Sequence, residues 1–174
     1  TYTVVARQDT AAPSVPGANY GGTASMAGIA ADGSLSFYSN LSGPTAATNE
    51  VLLTNDGSTL LAREGVGIPT GQAGGTTFTY ESFQTNSGDR GFNIAPNGSW
   101  IAESALTGAP TSSNFALTVD GQVRIQEGNP IPGSIFTEGV QFFNFNFMES
   151  DGNWFAYGSN LPPVVPAFNN GQDW

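Results

Sequence analysis

LLAREG at residues 60–65 is the most informative stretch of this sequence, because it recurs. Near the start of the chain VVARQD occupies residues 4–9, and a looser copy, VRIQEG, occupies residues 123–128. The second and third copies each follow an Asp-Gly pair, at residues 56–57 and 120–121, whereas no such pair precedes the first copy. A phrase that recurs several times along one chain is typical of proteins that repeat one supersecondary unit. The sequence therefore predicts three related units, preceded by a strand that lacks its turn.

Two further motifs recur in the same order and divide each unit into strands. An Asx-Gly pair precedes an apolar run at residues 32–33, 97–98 and 151–152. Asx-Gly between apolar runs is the strongest short signal of a β-hairpin, since both turn positions favour positive φ. Each unit is therefore predicted to contain four antiparallel strands, named a to d. These strands are predicted at 23–31, 34–41, 50–55 and 58–64 in the first unit, at 78–95, 99–106, 114–119 and 122–127 in the second, and at 136–149, 153–160 and about 164–169 in the third.

The third unit is expected to lack a d strand of its own, and residues 2–9 are predicted to supply it because they match the other d strands. Four-stranded antiparallel units repeated along a chain are typical of propeller blades. We therefore expect one all-β domain over residues 1–174. Its propeller-blade-like repeats are predicted at about 10–64, 65–127 and 128–174, the last completed by residues 2–9.

The composition excludes several classes of function. Lys and Arg total four against 14 Asp and Glu, which leaves a net charge of −10. With so few cations we expect no binding to nucleic acid and no attraction to an anionic membrane surface. The chain contains no Cys and no His, which excludes disulfides, thiolate metal sites and cysteine nucleophiles. No apolar run approaches the ~18 residues of a membrane span, so no membrane insertion is expected. A low-charge surface rich in Ser and Thr favours an extracellular or cell-surface location.

At these motifs the chain resembles a bacterial secreted tandem-repeat family. The repeat of that family reads approximately Ala-Arg-Glu-Gly-x-x-x-Pro-Gly, then Asn-x-x-Gly-x-x-Ala-Phe, then an Asp-Gly hairpin. The resemblance extends over nearly the whole chain and is closest at residues 61–69 and 127–133. The second motif departs from the family pattern, because Ala30, Ala95 and Glu149 stand where the family has Asn. The resemblance implies an exported, surface-associated β-repeat protein and carries over no catalytic residue.

Few residues offer catalytic or metal-binding chemistry. The pairs Glu50 with Asp56 and Glu149 with Asp151 have the residue types of a glycosidase acid and base. Asp before Gly is a turn former, however, and we expect the glutamates to be solvated. Ca²⁺ is the one metal whose oxygen ligands the turns offer, but the sequence has no D-x-D-x-D-G loop. We therefore expect no enzymatic activity, no cofactor and no metal site.

Two other pairs of polar residues are candidate sites. Asn40 and Asn97 begin N-x-[ST] sequons and are the candidate glycosylation sites. Arg7 and Arg63 share one repeat position, where Gln126 stands in the third copy. As structural residues these arginines would bond to a carboxylate or a backbone carbonyl of a neighbouring repeat. As functional residues they would bind a carboxylate or an acidic sugar. The recurrence favours the structural interpretation.

Residues 142–147 alternate aromatic side chains with Asn after the first position. Because strand side chains alternate between two faces, Phe143, Phe145 and Phe147 are predicted to share one face. We expect that face, with Trp100, Trp154 and Phe37, to belong to the apolar core. The alternative is an exposed platform on which sugars stack.

The preferred function follows from the misplaced strand. We expect Tyr2, Val4, Val5 and Arg7 to belong to an assembly strand that covers the edge of the third unit. That strand could fold back within the chain, join two chains into a six-bladed ring, or link copies head to tail in an open polymer. The predicted function is an extracellular structural subunit that forms a homo-oligomer or filament by strand complementation of residues 2–9. The alternative is a carbohydrate-binding, lectin-like propeller module with glycans as partners.

Overall fold

The fold is all-β, as the repeat pattern predicts. The structure is a computed structural model that describes residues 3–67, 78–83, 91–135 and 137–160, except for the side chains of Thr23, Asn144 and Phe145. These residues form three antiparallel sheets, none of which closes into a barrel. The only helical element among them is one short 3₁₀ turn, Ala46–Thr48.

Sheets 1 and 2 are meanders in which strands pair mainly with their neighbours in sequence. Sheet 1 has the order β1-β2-β3-β4, and sheet 2 has the order β5-β7-β8-β9 with β6 also paired to β7. The strands of sheet 1 are β1 (Asn19–Ile29), β2 (Leu35–Ser42), β3 (Glu50–Thr54) and β4 (Thr59–Arg63). The strands of sheet 2 are β5 (Thr79–Phe83), β6 (Phe92–Ile94), β7 (Trp100–Thr107), β8 (Phe115–Val119) and β9 (Gln122–Gln126). The four predicted strands of each of these two units are confirmed, with the second a strand divided into β5 and β6.

Sheet 3 contains two strands among the described residues, β10 (Val140–Met148) and β11 (Trp154–Asn160). They pair along their length, from Val140 opposite Asn160 to Met148 opposite Trp154. The third c strand, predicted at about 164–169, lies outside the described residues. Within the described chain, sheet 3 therefore corresponds to strands a and b of the other units.

The Asx-Gly pairs form the turns between strands a and b. The side chains of Asp32, Asn97 and Asp151 each accept a hydrogen bond from the backbone N–H two residues later, at 2.9, 2.9 and 3.0 Å. Gly33, Gly98 and Gly152 follow with φ of 86°, 92° and 90°. Each side chain satisfies a backbone donor that the turn leaves outside the strand ladder. Asp and Asn can both accept this hydrogen bond, which explains why either residue occurs at this position.

The Asp-Gly pairs between strands c and d hold a different contact. The carboxylate of Asp56 accepts a hydrogen bond from the N–H of Leu35 at 2.7 Å, and that of Asp120 accepts one from Trp100 at 2.8 Å. In return, the N–H of Asp56 donates to the carbonyl of Leu35, and the N–H of Asp120 donates to that of Trp100, each at 3.0 Å. The c–d turn is thereby tied to the start of strand b in both units.

The three sheets are stacked in chain order, and an apolar cluster lies between each sheet and the next. The first cluster joins Ala12, Val15 and Ala18 to the outer face of sheet 1, and its buried members on that sheet are Tyr20, Phe37, Leu41, Val51 and Leu53. The second cluster lies between sheets 1 and 2, and the third lies between sheets 2 and 3. Each sheet therefore has a preceding face, toward the N-terminal layer, and a following face, toward the C-terminal layer. On β2, for example, Phe37 lies on the preceding face and Tyr38 on the following face.

Within one copy, the described part of residues 2–9 does not pair with the third unit, so the predicted closure inside the chain is not observed, and pairing between copies stays a prediction. Residues 3–9 form no β-strand, and they lie against sheet 1 rather than sheet 3. The physical reason is local, because Val5 and Ala6 pack against the apolar outer face of sheet 1. The N–H of Asp9 also donates to the carbonyl of Tyr20 at 2.9 Å. Tyr2, the first residue of the predicted assembly strand, lies outside the described residues.

Close approach of a loop explains the glycine that ends two copies of the repeated phrase. Gly65 has φ of 74°, and a Cβ added there would lie 2.7 Å from the carbonyl oxygen of Ala47. Gly128 has φ of 77°, and its Cβ would lie 2.6 Å from the carbonyl oxygen of Ser112. A side chain at either position therefore meets both backbone strain and a clash with backbone.

Gly65→Ala is expected to destabilise the protein more than Gly33→Ala. Gly33 has φ of 86° but open space around its Cβ position, so its substitution meets only the conformational strain of about 1–2 kcal/mol. At Gly65 overpacking adds about 1–3 kcal/mol to that cost. Chemical denaturation of both variants measures the difference. Equal losses of unfolding free energy would show that the loop at Ala47 moves away at no cost.

Candidate functional site

One set of hydrogen bonds recurs wherever the chain passes into a new sheet. The N–H groups of Asp9, Gly65 and Gly128 donate to the carbonyls of Tyr20, Tyr80 and Val140 at 2.9, 2.8 and 2.8 Å. The N–H groups of Tyr20, Tyr80 and Val140 donate back to the carbonyls of Thr10, Val66 and Asn129 at 2.8, 3.2 and 3.0 Å. All three leading residues have positive φ. We call this arrangement the inter-repeat junction.

The first junction places residues 3–8 where the last strand of a sheet would lie. At the second junction the residues before Gly65 form β4, whose Leu61 and Ala62 pack in the cluster between sheets 1 and 2. At the first junction the equivalent residues Val5 and Ala6 pack against sheet 1 in the same way. Residues 3–8 thus take the position of strand d in a sheet that would precede sheet 1. The described chain provides no other strand of that sheet.

A pair of polar side chains at the end of each d strand holds the loop between strands b and c. Arg63 Nε donates to the carbonyl of Thr48 at 3.0 Å, and Gln126 Nε2 donates to that of Ser113 at 2.8 Å. Arg63 therefore has a structural partner, but the carbonyl belongs to a loop of its own repeat, so the predicted bond to a neighbouring repeat is wrong for Arg63. Arg7, at the equivalent position of the first copy, is exposed.

The neighbouring glutamate completes this contact. The Oε2 atom of Glu64 accepts the N–H groups of Asn49 and Glu50 at 3.0 and 3.2 Å, and Glu127 Oε2 accepts that of Asn114 at 3.2 Å. Burial raises the pKa of the Glu64 carboxyl above its ordinary value, although the two backbone donors stabilise its charged form. Arg63 and Glu64, like Gln126 and Glu127, form a loop clamp, and Arg7 and Gln8 are the equivalent pair of the first copy.

The other end of the molecule presents an aromatic face. Phe142, Phe147, Phe155 and Tyr157 are 44, 39, 48 and 44% exposed, and the strand register places them on the following face of sheet 3. The rings of Phe147 and Phe155 lie 5.3 Å apart between centroids at an angle of 34°. We call these four residues the aromatic face. No described residue forms a layer over it.

A β-bulge explains why the sequence pattern misassigned this strand. Phe143 pairs with Gly158 and Phe145 pairs with Tyr157, so one extra residue of β10 interrupts the alternation between them. A bulge changes which face the following side chains occupy. Phe143 is therefore buried with Asn146 and Met148, whereas Phe147 is exposed, and the predicted burial of Phe147 is wrong.

The remaining predicted core aromatics agree better with the structure. Phe37 and Trp100 are both 6% exposed and Phe143 is 5% exposed, as predicted. Trp154 is half-buried against the cluster between sheets 2 and 3. The side chain of Phe145 lies outside what the structure describes.

The candidate glycosylation sites differ in their surroundings. Asn40 is half-buried in β2, and its Oδ1 accepts a hydrogen bond from the hydroxyl of Tyr38 at 2.5 Å. Asn97 is exposed in a hairpin turn, but its Nδ2 donates to the carbonyl of Asp151 at 3.1 Å. This last contact ties the a–b turns of the second and third units together.

The described residues do not bring acidic side chains into a metal-binding cluster of three or more. Asp56 and Asp151, one from each carboxylate pair of the sequence, both accept backbone hydrogen bonds: Asp56 from Leu35 at the start of β2, and Asp151 from Asn153 within its own turn. Glu50 Oε2 accepts the N–H of Phe83 at 2.7 Å and so joins sheet 1 to sheet 2.

In the part of the chain that the structure describes, no helix is long and apolar enough to cross a membrane. Comparisons with family models, curated proteins and solved structures find no match for this chain.

Proposed function

We propose that this protein is an extracellular structural subunit that assembles with copies of itself by strand complementation. Residues 3–8 of one copy act as the d strand of sheet 3 in another. The observation that supports this most directly is the recurrence of the inter-repeat junction at Asp9. It gives residues 3–8 the position of a d strand, beside a sheet to which the described residues contribute no other strand.

Sheet 3 offers the complementary surface. Its strand β11 pairs with β10, and among the described residues nothing pairs with the opposite edge of β11. In sheets 1 and 2 the equivalent strands, β2 and β7, are each followed by two further strands. An unpaired strand edge exposes backbone donors and acceptors that another chain can satisfy. In this proposal each repeat is a propeller-blade-like unit, and the third unit gains its last strand from a neighbour.

The geometry favours complementation between copies over closure within one. The junction at Asp9 and the packing of Val5 and Ala6 hold residues 3–8 against the copy's own sheet 1. Sheet 3 of the same copy could reach them only by closing a ring of three sheets, and rings of this kind typically have four to eight. The contact is therefore between different surfaces of two copies, which extends to a larger ring or to an open filament.

Assembly of this kind requires no catalysis. Asp56 and Asp120 hold turns, and Glu64 and Glu127 hold loops, so each serves a structural contact. Arg7 would supply to the neighbouring copy the carbonyl contact that Arg63 makes within its own repeat. The low-charge surface rich in Ser and Thr supports the extracellular setting of the proposal.

Self-association is expected to strengthen as salt is raised. Each copy carries a net charge of −10, so copies repel one another, while the contacts that join them are backbone and apolar. Raising the ionic strength from about 0.05 to 0.5 M shortens the screening length and weakens this repulsion. Sedimentation velocity over a range of protein concentrations measures the association constant at each salt concentration.

The outcomes of this experiment are distinct. A series of species growing with concentration, and shifting to larger sizes with salt, agrees with the proposal. Negative-stain microscopy of the largest species separates rings from filaments. A monomer at every concentration and salt would rule the proposal out, and association that weakens with salt would indicate an interface held by charges instead.

A further inference from the structure

We propose that the aromatic face of sheet 3 docks onto a second copy of this chain, in an apolar groove on the preceding face of its sheet 1. This inference rests on the proposed function and identifies the surfaces that meet. The groove is lined by residues that include Val4, Ala24, Met26, Leu35 and Phe37, and it has a volume of about 370 Å³. We call it the N-terminal groove.

The first argument is the position of the aromatic face within the repeat. Tyr157 follows its turn glycine, Gly152, at the same distance at which Tyr38 follows Gly33. Tyr38 is only 4% exposed, because it packs in the cluster between sheets 1 and 2. Tyr157 therefore occupies a position that, in sheet 1, is covered by the next sheet.

Phe155 leads to the same conclusion from sheet 2. It occupies the position of Ile101, counted from the turn glycines Gly152 and Gly98. Ile101 is fully buried in the cluster between sheets 2 and 3. Both exposed aromatic residues of β11 thus stand where the chain elsewhere makes a contact between sheets.

The second argument is that the N-terminal groove is the matching half of that contact. Leu35 and Phe37 take the repeat positions of Trp100 and Ala102 in sheet 2. Trp100 and Ala102 pack against sheet 1, the sheet before their own. In sheet 1 no preceding sheet lies over these positions among the described residues: Leu35 is half-buried, Phe37 is buried in the first cluster, and both line the groove.

The chemistry of the two surfaces agrees. No charged side chain is among the residues that line the N-terminal groove or form the aromatic face. Val4 and Met26 at the groove are 75 and 69% exposed, so both surfaces leave apolar area in water. Adjacent exposed apolar side chains of this kind mark interaction sites on soluble proteins.

The orientation follows from the contacts inside the chain. Sheet 1 meets sheet 2, and sheet 2 meets sheet 3, always with a following face against a preceding face. Continuing this rule joins the aromatic face of one copy to the N-terminal groove of the next. That is a heterologous contact, in contrast to a symmetric dimer in which two aromatic faces meet.

A mixing experiment tests the pairing of the two surfaces. The face variant carries Phe155→Asp and Tyr157→Asp, and the groove variant carries Val4→Asp and Met26→Asp. All four residues are exposed, so both variants are expected to fold, which circular dichroism and thermal unfolding check. Phe155→Ser with Tyr157→Ser replaces the face variant if the Asp pair unfolds the monomer. Ile135→Asp, at a side chain that is 91% exposed and in neither surface, controls for the added charge.

Each variant alone is expected to self-associate at least tenfold more weakly than the native protein, because one of its two surfaces is blocked. Mixed in equal amounts, the two variants are expected to form a 1:1 complex that grows no further. Sedimentation velocity with one variant labelled measures this complex. The Ile135→Asp protein is expected to associate like the native chain.

The contradicting outcomes separate this inference from the proposed function. If the groove variant dimerises alone and the mixture forms no complex, the aromatic faces meet one another and the inference is wrong. If the face variant assembles like the native protein, strand complementation stands without this interface. The same result, with native but not variant protein retained on a polysaccharide column, assigns the aromatic face to glycans. A native protein that is monomeric throughout overturns the proposed function and this inference together.

Discussion

Trp100→Ala is expected to lower the free energy of unfolding by about 3–5 kcal/mol, the usual cost of truncating a buried aromatic residue. Trp100 is 6% exposed and packs in the cluster between sheets 1 and 2. Its ring meets that of Phe92 edge to face, with centroids 6.3 Å apart at an angle of 76°. Removing the indole leaves a cavity that both sheets line. Urea denaturation followed by far-ultraviolet circular dichroism measures the loss.

Trp154→Ala is the matched control for this prediction. Trp154 occupies the same position after the Asx-Gly turn, but it is only half-buried, at the cluster between sheets 2 and 3. Because less apolar area returns to water, its substitution is expected to cost less than that of Trp100. Equal losses for the two variants would contradict the burial that distinguishes these positions.

Gln8→Pro is expected to weaken self-association about 10- to 100-fold while leaving the monomer folded. Glu64 and Glu127, the residues equivalent to Gln8, donate their backbone N–H to the carbonyls of Glu50 and Phe115, each at 2.9 Å. Proline has no N–H, so the carbonyl it faces would be left without its bond. An unsatisfied buried group costs about 1–3 kcal/mol, and each 1.4 kcal/mol is a factor of ten in affinity. Sedimentation velocity measures the change.

Position 8 is a sharper site for this substitution than the middle of the strand. In sheet 1 the pairing shifts between Ala62 and Leu60, so Leu61, the equivalent of Val5, is the extra residue of a bulge. A proline at Val5 would also disturb packing against sheet 1, because Val5 belongs to that cluster. Gln8→Ala keeps the backbone donor and is the control, expected to assemble like the native protein. Undiminished assembly of Gln8→Pro would show that residues 3–8 are not the complementing strand.

Much of the fold was predictable from local sequence because its signals are short-range. An Asp or Asn before Gly satisfies a backbone N–H two residues away, so the turns at residues 32–33, 97–98 and 151–152 carry their own explanation. Such a turn brings the apolar runs on either side of it next to each other, and they pair as a hairpin. The strands β2, β7 and β11 consequently begin within a residue of their predicted starts.

The candidate site was less predictable, because both the aromatic face and the position of residues 3–8 depend on contacts between sheets. The bulge in β10 exposes Phe147 on the aromatic face and buries Phe143 with Met148, although the alternation of the sequence is regular. The position of a bulge depends on how the whole strand packs on sheet 2, and no single residue type in the sequence predicts it.

Residues 3–9 show the same division between local and long-range information. Their repeat identity as a d strand is evident from VVARQD alone, since it rests on matching side chains. Their location is not, because a d strand packs both on its own sheet and on the next one. Within the described chain only the second of these contacts, with sheet 1, has a partner, and the partly buried Val5 and Ala6 make it. Pairing with sheet 3 of the same copy would require a ring of three sheets.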